Sequence, residues 1–269
     1  MTLKTFHFAG VASMNITLGV PRIKEIINAS KVISTPIITA ILVTKNDLKS
    51  ARIVKGRIEK TTLEDVSEYI EEVIKGKKSY IKIKIDLEAI QKLQLEVDIF
   101  SISESIANAP KLKINESNIR IVYPDRIHVH VLAKDETSTF FDLQNLRRVL
   151  PHVIIKGIPT VNRAVISEEK GNLHLLVEGY GLREVMSMAG VNGPETKSNH
   201  VLESQKVLGI EAARNTIIEQ IMYTMGKHGM TIDSRHVMLL ADLMTFKVRN
   251  DLKIFFFYVY KSIIFFLIF

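Results

Sequence analysis

Apolar side chains change their spacing several times along this chain, and each change predicts a different element. In residues 21–30, Ile23, Ile26 and Ile27 recur at helical spacing behind Pro21, a residue suited to the first position of a helix. Ser34-Thr35-Pro36 breaks that pattern. From about Ile37 to Gly179 helical and strand periods alternate. Residues 79–87 are apolar at every second position (Ile81, Ile83, Ile85, Leu87), as in a half-buried strand, and 87–97 read as helix. Residues 119–123 and 127–132 read as strands around a Pro124-Asp125 turn. Residues 140–150 predict a helix with the stripe Phe140, Phe141, Leu143, Leu146, Val149 and Leu150. Strands are expected at 153–155, 161–166 and 173–178, and a polar loop at 190–199. A long amphipathic helix follows over 209–227, with Ile210, Ala213, Ile217, Ile221 and Met225 on one side. Asp233 suits the N-cap of a last helix reaching about Thr245, with Val237, Leu240 and Met244 turned inward. The mixture defines an α+β fold.

The two ends read differently from the middle. If the first residues are helical, Leu3, Lys4 and His7 share an arc of about 100°. Gly10, three residues further on, can close that helix in a left-handed cap, giving a lid hinged on glycine. Residues 248–269 hold half of the chain's phenylalanines, with Ile, Lys, Tyr and Asn, residue types that have codons made of A and T alone. Val248-Arg249 can be encoded by a splice-donor sequence, so translated intron is the expected origin of this tail. As a membrane anchor, residues 254–269 would span roughly 24 Å against about 30 Å of hydrocarbon. Lys261 in its middle would cost about 2.5–3.5 kcal/mol. Both penalties argue against an anchor.

At 269 residues the chain has room for one large domain or two small ones. The net charge of +7 suits nucleic acid or acidic protein partners without requiring either. With no cysteine, disulfides and thiolate metal sites are excluded.

The runs TFHFAGVAS and NITLGVPRIKEIIN resemble the trigger loop of the largest subunit of multi-subunit RNA polymerases. Lys4 points to the polymerase III version. The resemblance continues through STPIITA, ARIVKGRIEKT, GIPTVNRAVI, LLVEGYGLREVM and SNHVLESQKVLGIEAARNTIIEQI to SRHVMLLADLMTFK. It implies a trigger-loop remnant with an adjoining cleft helix over 1–30, a jaw-like mixed-sheet module over 31–200, cleft helices over 201–247, and an aberrant tail over 248–269. It implies too that the chain is a piece of that subunit, with Met1 internal to the parent. The expected activity of the intact enzyme is template-directed nucleotidyl transfer in the nucleus, the piece alone being inactive. The expected partners are the other polymerase III subunits, the DNA template, RNA and nucleoside triphosphates, and not a membrane. By the same resemblance His7 faces the β-phosphate and stabilises the departing pyrophosphate, Leu3 packs on the base, and Lys4 approaches the sugar or phosphates. Gly10 and Gly19 are the hinges. Arg22, Lys24 and Lys31 are nucleic-acid candidates. Near a helix C-terminus, the dipole would favour the His7 imidazolium by about 0.3–1 kcal/mol. Two-metal nucleotidyl transfer needs a carboxylate cluster. The chain has no Asp-x-Asp-x-Asp run, so Mg2+ is expected on ligands outside it.

Other residues offer weaker chemistry. His128 and His130 alternate on one strand face, a spacing open to metal chelation, but no third ligand is apparent and sheet packing is the expectation. Ser138 and Ser187 lack a triad partner. Gly179-Tyr180-Gly181 lacks the strand-turn-helix phosphate fingerprint and reads as a tight turn. Lys75-Gly76-Lys77-Lys78 reads as a solvated turn. The alternative to a catalytic segment is a non-catalytic module docking on polymerase subunits or downstream DNA.

Overall fold

The computed structural model describes residues 7–9, 15–74, 79–110, 112, 114–131, 136–169 and 171–246. In chain order the elements begin with β1 (His7–Ala9), β2 (Asn15–Thr17), α1 (Val20–Ile27), β3 (Ile37–Ile41) and α2 (Leu48–Ile58). Then come β4 (Thr61–Thr62), α3 (Leu63–Val66), β5 (Ser67–Val73), β6 (Tyr80–Ile85), α4 (Leu87–Leu93) and α5 (Ile99–Ala107). Next are β7 (Ile119–Val122), β8 (Arg126–His130), α6 (Glu136–Val149), β9 (Ile154–Lys156), β10 (Val161–Glu169) and β11 (Asn172–Gly179). The described chain closes with α7 (Leu182–Ser187), β12 (Lys197–Ser198), α8 (Val201–Leu208), α9 (Ile210–Lys227) and α10 (Ser234–Thr245). Helices and small sheets intermix, so the α+β class holds.

Contacts divide the chain into two compact units, Thr44–Ala164 with Met188–Gly190 as one, and Met1–Val43, Val165–Ser187 and Val191–Phe269 as the other. Residues 31–43, 165–187 and 191–200 share the unit that holds the segment 201–246. The first unit is built on an antiparallel sheet in the order β5-β6-β8-β7. Alternation sends Ile81, Ile83 and Ile85 of β6, with Ile127 and Val129 of β8, into one core. There they meet Leu63 and Val66 of α3, Ile102 and Ile106 of α5, and Leu143, Leu146 and Leu150 around α6. Phe140 and Phe141, expected in the same stripe, stand exposed at 54% and 72%. At 100° per residue they fall beyond the arc that Leu143, Leu146 and Leu150 bury. Leu87, expected as a strand residue, opens α4 after the Asp86 cap, whose Oδ1 accepts from Ala89 N–H at 3.0 Å. That helix stops short of Val97 because Gln94 is left-handed, at φ 53°.

In the second unit, β11 and β12 flank β3 antiparallel, and β10 lies beyond β11. Beside this sheet is a helical core of Ile26 from α1, Ile217 and Ile221 from α9, and Val237, Ala241 and Met244 from α10. α9 packs on α8, α10 and α1. Asp233 caps α10 as its sequence position implies, its Oδ1 accepting from Arg235 N–H at 3.0 Å. Asp233→Ala should lower stability by about 1 kcal/mol, seen as faster amide exchange confined to the first turn of α10.

Candidate functional site

At the N-terminal end, β1 and β2 pair antiparallel, His7 with Thr17, Phe8 with Ile16 and Ala9 with Asn15. The helix expected to carry His7 is therefore corrected at residues 7–9, which are strand. An isolated turn or two of helix lacks enough hydrogen bonds to repay its nucleation, whereas pairing with β2 satisfies the backbone at once. Strand dipoles largely cancel, so the helix-dipole bias on His7 goes with the helix. Leu3, Lys4 and Gly10 lie outside the described residues, as do Lys75–Lys78 and the whole 248–269 tail.

Beyond β2 the chain is well anchored. Thr17 N–H donates to Thr35 Oγ1 at 3.2 Å, and Leu18 is buried. Gly19 then turns the chain at φ 92°, ψ −151°, a conformation open essentially to glycine. Pro21 starts α1. Arg22, a nucleic-acid candidate from the sequence, is corrected to an internal residue: it is 3% exposed. Its guanidinium donates to Glu25 Oε2 at 3.0 Å, to the Asn199 carbonyl at 2.7 Å and to Gln220 Oε1 at 3.3 Å. A buried cation persists only when so partnered. Burial pulls the Arg22 pKa below its ordinary value, opposed by the bond and charge of Glu25. Glu25 completes the cluster by accepting from Ser34 N–H at 3.0 Å and Ser34 Oγ at 2.6 Å. Partial burial pushes the Glu25 pKa up, but Ser34 and Arg22 outweigh it and hold the carboxyl below its usual range.

Lys24 and Lys31 remain at the surface. Lys31 borders a cleft of about 700 Å³ whose wall includes Tyr180, Arg183, His200, Glu203 and Lys206. The sequence did not mark His200 or Glu203, and both are fully engaged. His200 Nδ1 accepts from Leu202 N–H at 3.2 Å, capping α8, which leaves Nε2–H to donate to the Lys31 carbonyl at 3.1 Å. Glu203 Oε1 accepts from Gly181 N–H at 2.6 Å and Leu182 N–H at 2.8 Å. The Gly-x-Gly turn thus spends its amides on an internal carboxylate, in keeping with a tight turn. His200 immediately before an apolar-periodic run was the one signal available for this cap.

The residues present do not fit a magnesium site: among the described residues no three His, Asp or Glu side chains converge. His128 and His130 pack on Tyr80, with ring centroids 4.9 and 5.2 Å away. Among the described residues no helix is long and apolar enough to cross a membrane.

The described residues thus form two α+β units, with an N-terminal strand pair that leads through Gly19 into α1. Residues 1–251 match the family described as RNA polymerase Rpb1, domain 5, and the chain belongs to that family. The DNA-directed RNA polymerase III subunit RPC1 of Debaryomyces hansenii is 56% identical over 269 residues, covering 92% of this chain and 18% of the relative. Its counterparts in Saccharomyces cerevisiae and Homo sapiens are 56% identical over 262 residues and 55% over 251, with the same coverage. The homologues are polymerase III subunits, as Lys4 and the flanking runs imply. The chain spans about 18% of the length of these relatives.

Proposed function

We propose that this chain is the trigger-loop and jaw segment of a DNA-directed RNA polymerase III largest subunit. Its task is to position substrate during template-directed nucleotidyl transfer in the nucleus. The observation that carries this is 55–56% identity to RPC1 subunits over 92% of the chain. Magnesium would be held by ligands outside these residues and would supply Lewis-acid activation of the phosphates.

The role of this chain is to close on the bound nucleoside triphosphate. Gly10 and Gly19 are the hinges, the latter supported by its φ of 92°. Leu3 packs on the base and Lys4 approaches the sugar or phosphates. His7 faces the β-phosphate, where the triphosphate's negative charge favours imidazolium. That proton offsets charge as pyrophosphate departs, and closure excludes water. The buried Arg22 holds the C-terminal hinge flank rigid while the strand pair moves. Lys24 and Lys31 lie toward nucleic acid. The partners are the remaining polymerase III subunits, the DNA template and the RNA.

The test replaces the matching segment of the Saccharomyces cerevisiae relative with residues 1–247. The chimera should support growth and assemble with the other subunits. His7→Ala should assemble equally but slow single-nucleotide addition on the order of 100-fold, as for loss of a proton-transfer group. Failure to assemble, or an unchanged rate in His7→Ala, would refute the reading.

A further inference from the structure

The C-terminal ends of α5 and α6 border a cleft of about 910 Å³, the size of a site for a small organic ligand. Its floor is apolar, with Val149, Val153 and Ile154 on one side and Ala109 and Pro110 on the other. Val153 belongs to the core of Ile102, Ile106, Leu146 and Leu150, and Val149 and Ala109 pack against it. Backbone bonds fix both rims: Asn108 N–H donates to the Glu104 carbonyl at 2.9 Å, and Val153 N–H to the Leu150 carbonyl at 3.1 Å. A floor continuous with the core makes the cleft preformed. Its rim is polar and is not used by the fold. Asn145 and Arg148 lie one turn apart on α6, Glu104 and Asn108 one turn apart at the end of α5, and His152 follows α6. Among the described residues none of these five side chains has a hydrogen-bond or ion-pair partner. Their neighbours do: Arg147 pairs with Glu72 at 3.0 Å, and Gln144 Nε2 donates to the same carboxylate at 3.3 Å.

The polar groups are sorted by wall. The α5 wall carries the Glu104 carboxylate, and the α6 wall with the turn after it carries the Arg148 guanidinium and the His152 imidazole. Each helix adds one amide, Asn108 and Asn145, that offers a donor and an acceptor together. Each feature selects part of a ligand. Arg148 and His152 suit a phosphate, which the planar fork of arginine matches best. Side-chain amides complement the donor–acceptor edge of a nucleobase, whose flat faces suit an apolar floor. A carboxylate accepts from ribose hydroxyls. A bare metal ion finds no donor set, because no three His, Asp or Glu side chains converge among the described residues. A fatty chain would bury the rim without answering its polar groups. We propose that this cleft binds a nucleoside monophosphate, the base on the floor between Asn108 and Asn145 and the phosphate on Arg148 and His152. This assignment rests on the lining of the cleft, and growth of the chimera neither requires nor excludes it.

The full chain is titrated with adenosine monophosphate by isothermal calorimetry, with amide exchange followed in parallel by mass spectrometry. Saturable binding in the micromolar range is expected, with slowed exchange confined to residues 104–110 and 145–154. Arg148→Gln should weaken the nucleotide about ten- to hundredfold, the range for losing a hydrogen bond to a charged group, and leave adenosine binding unchanged. Arg148→Lys should recover part of that loss. Asn145→Leu should weaken the nucleotide and adenosine alike, by about tenfold. Arg52→Gln, on α2, should change nothing. Asn145 and Arg148 are exposed, so each variant should keep the urea midpoint of the parent. Absence of binding at millimolar nucleotide overturns the proposal, as does an Arg148→Gln affinity equal to the parent's. Inorganic phosphate displacing the nucleotide at equal concentration would reduce the site to simple anion contact, and protection outside the two segments would place the nucleotide elsewhere. Either result also overturns the proposal.

Discussion

Arg22→Ala is expected to cost about 3–5 kcal/mol, the range for removing one partner of a buried ion pair. The loss exceeds one contact. Without the guanidinium, the Asn199 carbonyl and Gln220 Oε1 lose a donor, and Glu25 keeps its charge inside the structure with Ser34 as its remaining described partner. Because Asn199 and Gln220 come from the β12–α8 turn and from α9, the cluster ties α1 to both. Amide exchange at Ile26, Ile217 and Ile221 should accelerate about a hundred- to thousandfold. Arg22→Lys should recover part of this, since an ammonium keeps the charge but cannot reproduce the planar fork. The effect carries a pH signature. Glu25 has a folded pKa below its unfolded value, so its contribution is present above the unfolded value of about 4.3 and disappears as pH falls through the folded one. Arg22 helps depress that pKa, so the gap between parent and variant should narrow below about pH 4. A gap that stays constant into acid, or exchange rates left unchanged, would show that the pair is not coupled to the fold.

Arg22 also shows why the candidate site was only partly legible. Its neighbours in the chain, Pro21 and Ile23, carry helix signals, and a cation among them reads as a surface residue. Glu25 is a local acceptor, but its other two lie 177 and 198 residues further along, where no local pattern points back to it. The reverse holds for β6, β7, β8, α9 and α10, whose apolar spacing reports burial on one face and predicted them closely. β5 was opaque for a related reason. Ser67–Val73 is largely polar and contains good helix formers, yet its strand is fixed by the ladder to β6 and by Glu71 and Glu68 facing Lys82 and Lys84. β1 failed in the same way, because helical spacing of three residues cannot outweigh an available strand partner. The roles of Leu3, Lys4 and His7 came from resemblance alone; nothing in their spacing distinguishes a nucleotide lid from an ordinary chain end.

Gly157→Ala is the second large effect, and its cause is steric rather than electrostatic. Gly157 sits at φ 97°, where an L side chain is strained. A Cβ there would lie 2.0 Å from the Glu59 carbonyl oxygen, 2.6 Å from the Glu59 carbonyl carbon and 2.9 Å from Lys60 Cα. These atoms are backbone, so no rotamer change relieves the overlap. The two chains are held close here because Ile158 N–H donates to the Ile58 carbonyl at 3.1 Å and Thr61 Oγ1 to the Lys156 carbonyl at 3.2 Å. Leu63 N–H donates to the Val153 carbonyl at 2.9 Å just beyond. Separating the strands enough for a methyl group breaks at least the first of these while Ile58 and Ile158 remain buried. Backbone strain with one unsatisfied buried amide amounts to about 3–5 kcal/mol. Gly229→Ala is the matched control: it shares a positive φ, 73°, but its Cβ would meet nothing within 4 Å. It should cost only about 1–2 kcal/mol of left-handed strain. Urea denaturation of the two variants beside the parent separates these terms, and equal losses would mean that the approach of residue 157 to the Glu59 backbone is looser than this geometry requires.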